Sequence, residues 1–503
     1  MLLEFSNAKD GLKTFSADGV FFHSTYSPYK EAERFIESLQ FINNPKYIFL
    51  VEPGLSYTHE ILKKKYSECK TICIRLFDSK LGDENIWDYV IYFSEIQNLN
   101  SYLTTHFDEE KLLNSTIAFT QQAQKFFCDK ITLIIEQYKQ ALETAKTLLV
   151  TRQFFEKKWL INSCNFVRFA NRVCNPQLKT TLPVVVCASG PGLESCLNIL
   201  YENQNKLFII GLSSATKVLL QNNIIPDLII STDGGWRAGE HLKELKKHND
   251  IILASPCEAF IPKSILKNNI LLALKYNDSS SFISSNILES LNVIGCNAVR
   301  NPTVSGTAFY FAKEITNNKI FFCGLDLAGG KGHQHTKPNE IEKDNLIFDN
   351  RIKNVETRNS RSRYNTQSLE IYREWFSSLD DVENVYRVID NKAYVKAQKS
   401  LGKIKDISAI DFDRQIKDHL TSHKEKKAFE LNECQILQAN REKTFELILK
   451  NLQDEKWAKQ IFPADYLSIN NSSDAANKEQ LKNRLGQKIK KLEEKIRTIA
   501  YEG

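Results

Sequence analysis

The chain has 503 residues, and 67 lysines and arginines against 61 acidic residues leave a formal net charge of +6. So small an excess over this length gives no electrostatic ground for general nucleic-acid binding, yet it suits a small phosphorylated or carboxylated ligand. With 42% hydrophobic and 25% charged residues, the composition is that of a globular protein of two to four domains with a sizeable core. The eleven cysteines are scattered, many inside apolar runs, with no Cys-x-x-Cys pair, which predicts reduced buried thiols. The first ten residues hold no basic region followed by an apolar core, and no segment approaches about 18 uninterrupted apolar residues. A cytoplasmic protein without a membrane span is expected.

In chain order, residues 1–115 alternate short apolar strands, such as Tyr47–Val51 and Thr71–Arg75, with polar helical stretches, which predicts a small α/β N-terminal domain. Within it, His23–Glu33 turns at Pro28 and opens a helix with acidic residues in its first turns. Residues 116–178 are nearly free of glycine and proline, and Ile131, Ile135, Tyr138, Leu142 and Ala145 recur three or four apart, so a helical connector is expected.

From 179 to 395 the runs Val184–Ala188, Leu207–Ile210, Leu228–Ile230, Ile251–Leu253, Ile270–Leu274 and Ile320–Cys323 alternate with helical stretches. Near-continuous apolar strands between helices predict a central doubly wound, Rossmann-like parallel sheet covered on both faces. Residues 396–503 turn charged and predict an α-helical C-terminal domain. Leu481, Leu485, Ile489 and Leu492 form one stripe there, which either packs on its own protein or docks a partner.

Ligands of such a sheet sit beyond the carboxyl ends of the strands, so the residues just after each apolar run carry the information. The first such end is Ser189-Gly190-Pro191-Gly192, a glycine-rich bend from which backbone N–H groups can converge on an anion. It lacks the Gly-Lys-Ser/Thr ending of a Walker loop and the full dinucleotide fingerprint. The second end delivers Ser231, Thr232 and Asp233 to a glycine turn. The third places Asp326 before a glycine-rich loop with His333 and His335. Asp233 and Asp326 read equally well as caps of backbone N–H groups. The His-x-His spacing has no acidic or cysteine partner at ligand spacing, so no metal site is expected. Ser305, Gly306 and Thr307 open a further helix whose first turn can accept a second anion.

Taken together, these stretches resemble the motility-associated factor (Maf) family, whose central domain is similar to bacterial sialyltransferases and to the hydroxymethylpterin diphosphokinase-like family. The resemblance rests on His23–Arg34, similar to an "HSxYxPxxEAxR" element, on Ala188–Leu193, on Ile225-Pro226-Asp227 with Ser231–Gly234, and on Ser305–Ala308 followed by Gly324–Ala328 and His335. It implies an O-linked glycosyltransferase that moves a nonulosonic acid from a CMP-activated donor to Ser or Thr of flagellin, with no further cofactor.

By the same resemblance, Ser189, Gly190, Pro191 and Gly192 contact nucleotide and phosphate, Ser213 and Ser214 line the next strand end, and Ser305, Gly306 and Thr307 face the sugar carboxylate. The sialyltransferase base histidine has no counterpart in Asn359–Ile371. His335 is then the candidate base, Asp233 the runner-up, and Tyr364 with Arg358, Arg361 and Arg363 closes over the donor. Two other readings stand beside this one: an ATP-dependent pterin diphosphokinase that binds magnesium through Asp233 and Asp326, and a non-catalytic flagellin-binding factor that docks through its helical C-terminus.

Overall fold

The computed structural model describes residues 2–41, 45–96, 98–176, 179–278, 281–328, 335–348, 350–352, 366–389, 399–420, 431–472 and 474–501. It divides into two compact units, Met1–Gln153 and Phe154–Gly503.

In the first unit, β1 (Leu3–Asn7), β2 (Lys13–Ala17) and β3 (Val20–Phe21) form an antiparallel meander. Four parallel strands follow: β4 (Tyr47–Val51), β5 (Lys70–Arg75), β6 (Tyr89–Tyr92) and β7 (Ser115–Phe119), in the order β6-β5-β4-β7. From β4 the chain winds to one side through β5 and β6, then returns to the other side as β7. The stretch expected as a purely helical connector therefore contributes an edge strand, because Thr116-Ile117-Ala118-Phe119 pairs with β4. After a short helix, Gln121–Phe126, the long helix Cys128–Phe169 carries Ile131, Ile134, Tyr138, Ala141 and Ala145 into the core of this unit. Its apolar positions recur three or four residues apart, which keeps them on one helical face.

The second unit is built on β8 (Arg172–Pro176), β9 (Val184–Cys187), β10 (Phe208–Leu212), β11 (Leu228–Ile230), β12 (Ile252–Pro256), β13 (Ile270–Tyr276), β14 (Cys296–Ala298), β15 (Ile320–Cys323), β16 (Val385–Ile389), β17 (Lys405–Ser408) and β18 (Leu431–Cys434). The strand order is β17-β16-β15-β9-β10-β11-β12-β13-β8-β18, with β14 beside β13; every pair is parallel except β18 with β8. The doubly wound α/β fold expected for this region is present. Val184 and Val186 are buried in one layer, Val185 and Cys187 in the other, so both faces of β9 are covered. That is why the strand reads as an uninterrupted apolar run.

The C-terminal segment is helical as expected, with helices at Ala409–Leu420, Gln438–Asn451, Glu455–Ile461, Pro463–Asn471 and Ala475–Tyr501, and it also supplies β17 and β18, one at each edge of this sheet. Both are short and polar, as edge strands tend to be, and so lack the apolar signature of the central ones. The stripe on the last helix, Ala475–Tyr501, is not a free surface. Leu485, Ile489 and Leu492 are buried in the core of this unit with Phe445, Ile448 and Trp457, and Leu481 packs against them.

Candidate functional site

The two halves of the large sheet diverge at β9. The chain passes from β9 outward through β10, β11, β12 and β13, and the other half begins at β15, hydrogen-bonded to the opposite edge of β9. The carboxyl ends of β9 and β15 are therefore the topological switch point, where an open parallel sheet leaves a crevice because neighbouring connections leave in opposite directions. A cleft of about 230 Å3 lies there, lined by Ser189, Gly190, Ser214, Ser305, Asp326 and His335 from the expected set, and also by Thr303, Leu369 and Tyr372.

The bend after β9 is not an open anion cradle. The Gly190 N–H donates to Gly324 O at 2.9 Å, and the Gly192 N–H donates to Asp326 Oδ2 at 2.7 Å. The N–H groups of Gly190 and Gly192 are thus engaged within the protein, and of the four residues expected to contact nucleotide and phosphate, Ser189 and Gly190 line the cleft. Gly190 has φ −66°, so its lack of a side chain serves space rather than a left-handed backbone. A Cβ at position 190 or 192 would meet the Asp326 carboxylate. Asp326 itself is 2% exposed, and its charge is well suited to backbone N–H groups at the start of the turn Pro191–Cys196.

What faces the cleft here is hydroxyl chemistry. Ser214 Oγ donates to Ser189 Oγ at 2.9 Å, which leaves the Ser189 proton for a further acceptor. Ser213, expected beside it, is buried in the turn Ser213–Ala215 and does not line the cleft, because successive residues of a turn with three residues per revolution point about 120° apart. On the other wall, Thr303 caps the helix Val304–Ile315, its Oγ1 accepting from Ser305 N at 3.4 Å. Thr303, Val304 and Ser305 bring this helix start to the cleft. Gly306 and Thr307, expected to act with Ser305, point elsewhere. Gly306 packs against the Trp375 ring, and Thr307 Oγ1 reaches Val299 O at 3.4 Å. Successive side chains of a helix are rotated by about 100°, so the three side chains do not face the cleft together.

His335 is held above the β9 bend by its own neighbours. The Thr336 N–H donates to Ser189 O at 2.8 Å, Thr336 Oγ1 donates to Gly190 O at 2.5 Å, and Asn339 Nδ2 donates to Ser214 O at 3.1 Å. The Lys217 ammonium pairs with Glu340 and holds that carboxyl below its ordinary value. His335 Nδ1 lies 3.2 Å from Glu342 Oε1, which also accepts the His335 backbone N–H at 3.1 Å. Glu342 is 2% exposed. A buried carboxylate on Nδ1 fixes the tautomer and ring direction, leaving Nε2 as the basic atom. Glu342 is not legible in the sequence. A separation of seven residues across a turn has no standard spacing, and the pairing exists only once the segment folds back on the sheet.

Asp233 and Thr232, at the end of β11, do not line this cleft. Asp233 is exposed and its Oδ1 accepts from Gly235 N at 2.8 Å, a turn-stabilising bond. It belongs instead to a neighbourhood that includes His241, at the end of the helix Trp236–His241. Burial lowers the His241 pKa first, the charge of His335 lowers it further, and Asp233 and Glu340 oppose this. His241 is also missed by sequence reasoning, since nothing in its sequence neighbourhood sets it apart. Tyr364, Arg358, Arg361, Arg363 and His333 lie outside the described residues.

Residues 157–332, which span most of this sheet and the bends after β9 and β15, match the family model described as 6-hydroxymethylpterin diphosphokinase MptE-like. The chain is similar in structure to the Maf glycosyltransferase from Magnetospirillum magneticum AMB-1, with a TM-score of 0.53, 11% identity, and coverage of 99% of this chain and 91% of that one. At that identity the likeness is one of fold, and the fold of this chain is that of the Maf protein. An uncharacterized protein of Treponema pallidum (strain Nichols) is 29% identical over 284 residues. The matched part is 56% of this chain and spans 61% of that relative's length. Among the described residues, no helix is long and apolar enough to cross a membrane.

Proposed function

We propose that the protein is a glycosyltransferase that moves a nonulosonic acid from a CMP-activated donor to serine or threonine hydroxyls of flagellin in the cytoplasm. The observation that carries this reading is the cleft at the switch point between β9 and β15. It sets the Ser189–Ser214 hydroxyl pair on one wall, the capped start of Val304–Ile315 on the other, and a carboxylate-oriented histidine between the loops. A CMP-linked acidic sugar carries two anions, a phosphate and a carboxylate. Hydroxyl donors and a helix start are two separate groups that can each receive one.

His335 Nε2 takes the proton of the acceptor hydroxyl as its oxygen bonds to the anomeric carbon. The bond from that carbon to the phosphate oxygen breaks, and CMP leaves with the electron pair. The developing phosphate charge is met by the Ser189 hydroxyl, which also leaves the Asp326–Gly192 bond intact. Calorimetric titration with CMP tests the donor site: saturable binding that weakens in Ser189→Ala supports it, and binding of ATP with magnesium but not CMP would replace it. Intact mass of flagellin, co-expressed with the protein and a CMP-nonulosonate pathway, tests the acceptor. An unchanged mass would remove the transferase reading.

The match to the diphosphokinase-like model favours a second reading, pyrophosphoryl transfer from ATP to a pterin alcohol. Against it, Asp326 is engaged with the Gly192 N–H, and Asp233 is engaged with the Gly235 N–H outside the cleft. The docking factor reading loses its proposed surface, because the stripe of the last helix is buried in its own unit.

A further inference from the structure

We propose that the second unit carries a docking groove for an acidic polypeptide segment with bulky apolar side chains at its centre. A cavity of about 460 Å3 is lined by the long helix Cys128–Phe169, the last helix Ala475–Tyr501 and the bends that follow β11 and β12. Its floor is apolar, with Ile161, Phe260, Phe462 and Leu492. Trp236, 61% exposed, adds an indole ring open to solvent. Exposed apolar surface framed by polar groups marks an interaction site, and tryptophan is a frequent anchor in such sites. Asn162 Nδ2 donates to Gly234 O at 3.1 Å and to Glu258 O at 3.0 Å, which ties the long helix to both bends and fixes the floor in place. Gly234 and Phe260 follow β11 and β12, so the groove lies at the same carboxyl edge of the sheet as the cleft beyond β9 and β15.

What selects the occupant is the charge around this floor. Lys157 and Lys158 line it from the long helix, and Lys488, Lys491 and Lys495 from the last one. Among the described residues, no acidic side chain lines it. Lys488 pairs with Asp465, and the other four lysines have no carboxylate partner among the described residues. Helices elsewhere on this surface pair their cations along the chain, as Lys417 does with Asp413 and Arg497 with Glu493. The last helix does the opposite beside the groove. Lys488, Lys491 and Lys495 stand at i, i+3 and i+7, flanking the buried stripe of Leu485, Ile489 and Leu492, and like charges at such neighbouring positions are unfavourable. The fold gains nothing from this row, whereas a bound anion relieves its repulsion.

Carboxylates spaced along a chain answer such a row. Lys488 to Lys495 spans roughly 10 Å of helix, the length of about three residues of extended chain. A segment with several acidic side chains therefore meets several ammonium groups, where one small anion meets one. The apolar floor takes large side chains of the same segment, and the water they exclude strengthens each charge pair. The net charge of +6 gives no broad field for a nucleic acid. Lysines confined around an apolar floor match a partner that alternates acidic and apolar groups.

Fluorescence anisotropy on the full chain, with a labelled peptide of aspartates flanking a central Leu-Phe pair, tests this. Saturable binding is expected, weakened at least about tenfold when salt is raised from about 50 to about 500 mM. The same peptide with asparagine for every aspartate should bind at least about tenfold more weakly. Lys491→Gln should weaken binding about two- to fivefold and Lys491→Glu at least about tenfold. Lys490→Gln makes the same change of net charge on the same helix outside the groove and should leave binding unchanged. Trp236→Ala should weaken the peptide at least about fivefold, and should matter less for a peptide with glycines in place of the Leu-Phe pair. Because it removes like-charge repulsion, Lys491→Gln should leave the urea midpoint unchanged or raised, which separates lost binding from lost fold. No saturable binding at low salt, equal weakening by Lys490→Gln, or equal binding of the asparagine peptide would each overturn the proposal. So would a duplex oligonucleotide or phosphatidylglycerol vesicles that bind more tightly than the peptide and displace it. Neither CMP binding nor glycosyl transfer enters these measurements, so the groove and the cleft stand or fall separately.

Discussion

Replacing Gly192 by alanine probes the central claim about the β9 bend, that its glycines make room for a carboxylate of the protein and not for a ligand. A Cβ at position 192 would lie 2.6 Å from Asp326 Oδ1 and 3.2 Å from Oδ2, and each of its three nearest atoms belongs to the Asp326 side chain. Such overpacking costs about 1–3 kcal/mol. Asp326→Ala alone removes a charge-assisted bond of 2.7 Å to a buried N–H and should cost at least about 1.5–3 kcal/mol. In the double variant the methyl group introduced at position 192 enters the space the carboxylate vacated. The two costs should therefore fall short of additivity by about 1–2 kcal/mol. Equilibrium unfolding in urea, followed by tryptophan fluorescence, measures this, since Trp159, Trp236, Trp375 and Trp457 all lie in the second unit. Additivity within about 0.5 kcal/mol would refute the account. Gly190→Ala is a useful contrast. Its Cβ would also meet the Gly324 carbonyl, which the aspartate substitution leaves in place, so Asp326→Ala should rescue it less.

On the transferase reading proposed above, Glu342→Gln should lower activity by about ten- to a hundredfold with little change in CMP binding, because the amide no longer fixes the His335 tautomer as a carboxylate does; equal loss of CMP affinity in calorimetry would contradict this. His335→Gln should raise the NMR titration midpoint of His241 while leaving it below the ordinary histidine value, since the charge contribution disappears and burial remains. In the first unit, burial and then the Arg75 charge lower the His23 pKa to about 4, against 6.5 in the unfolded chain. The unfolded chain therefore takes up the proton first as pH falls. Stability should decline from about pH 6.5 to about pH 4 by at most about 3 kcal/mol and stop declining from this source below that. His23→Gln should flatten this slope in thermal unfolding, and an unchanged slope would exclude His23 as its source. Leu485→Ala and Ile489→Ala should each destabilise the second unit by about 2–5 kcal/mol, which a docking stripe open to solvent would not show.

The apolar run Val184–Ala188 and its five counterparts can be read directly, because a strand buried on both faces must be apolar at every position. That is enough to place Ser189 and Asp326 just beyond strand ends and His335 in the loop that follows Asp326, and the tertiary structure brings all three to one cleft. The polar edge strands β17 and β18 carry no such signature and are indistinguishable in sequence from the helical segment around them. Which strand-end residues face the cleft is set by the rotation of each turn and helix, so Ser214 and Ser305 line it while Ser213, Gly306 and Thr307 do not.

The sequence by itself determined the class of fold, the positions of the strand ends and the helix start after Thr303, because these depend on local periodicity and backbone conformation. Only the tertiary structure decided that Asp326 fills the glycine bend, that Glu342 orients His335, and that Lys157 and Lys158 share a groove with Lys491 and Lys495. Each of these pairings joins residues whose separation along the chain carries no information, and each is made by packing.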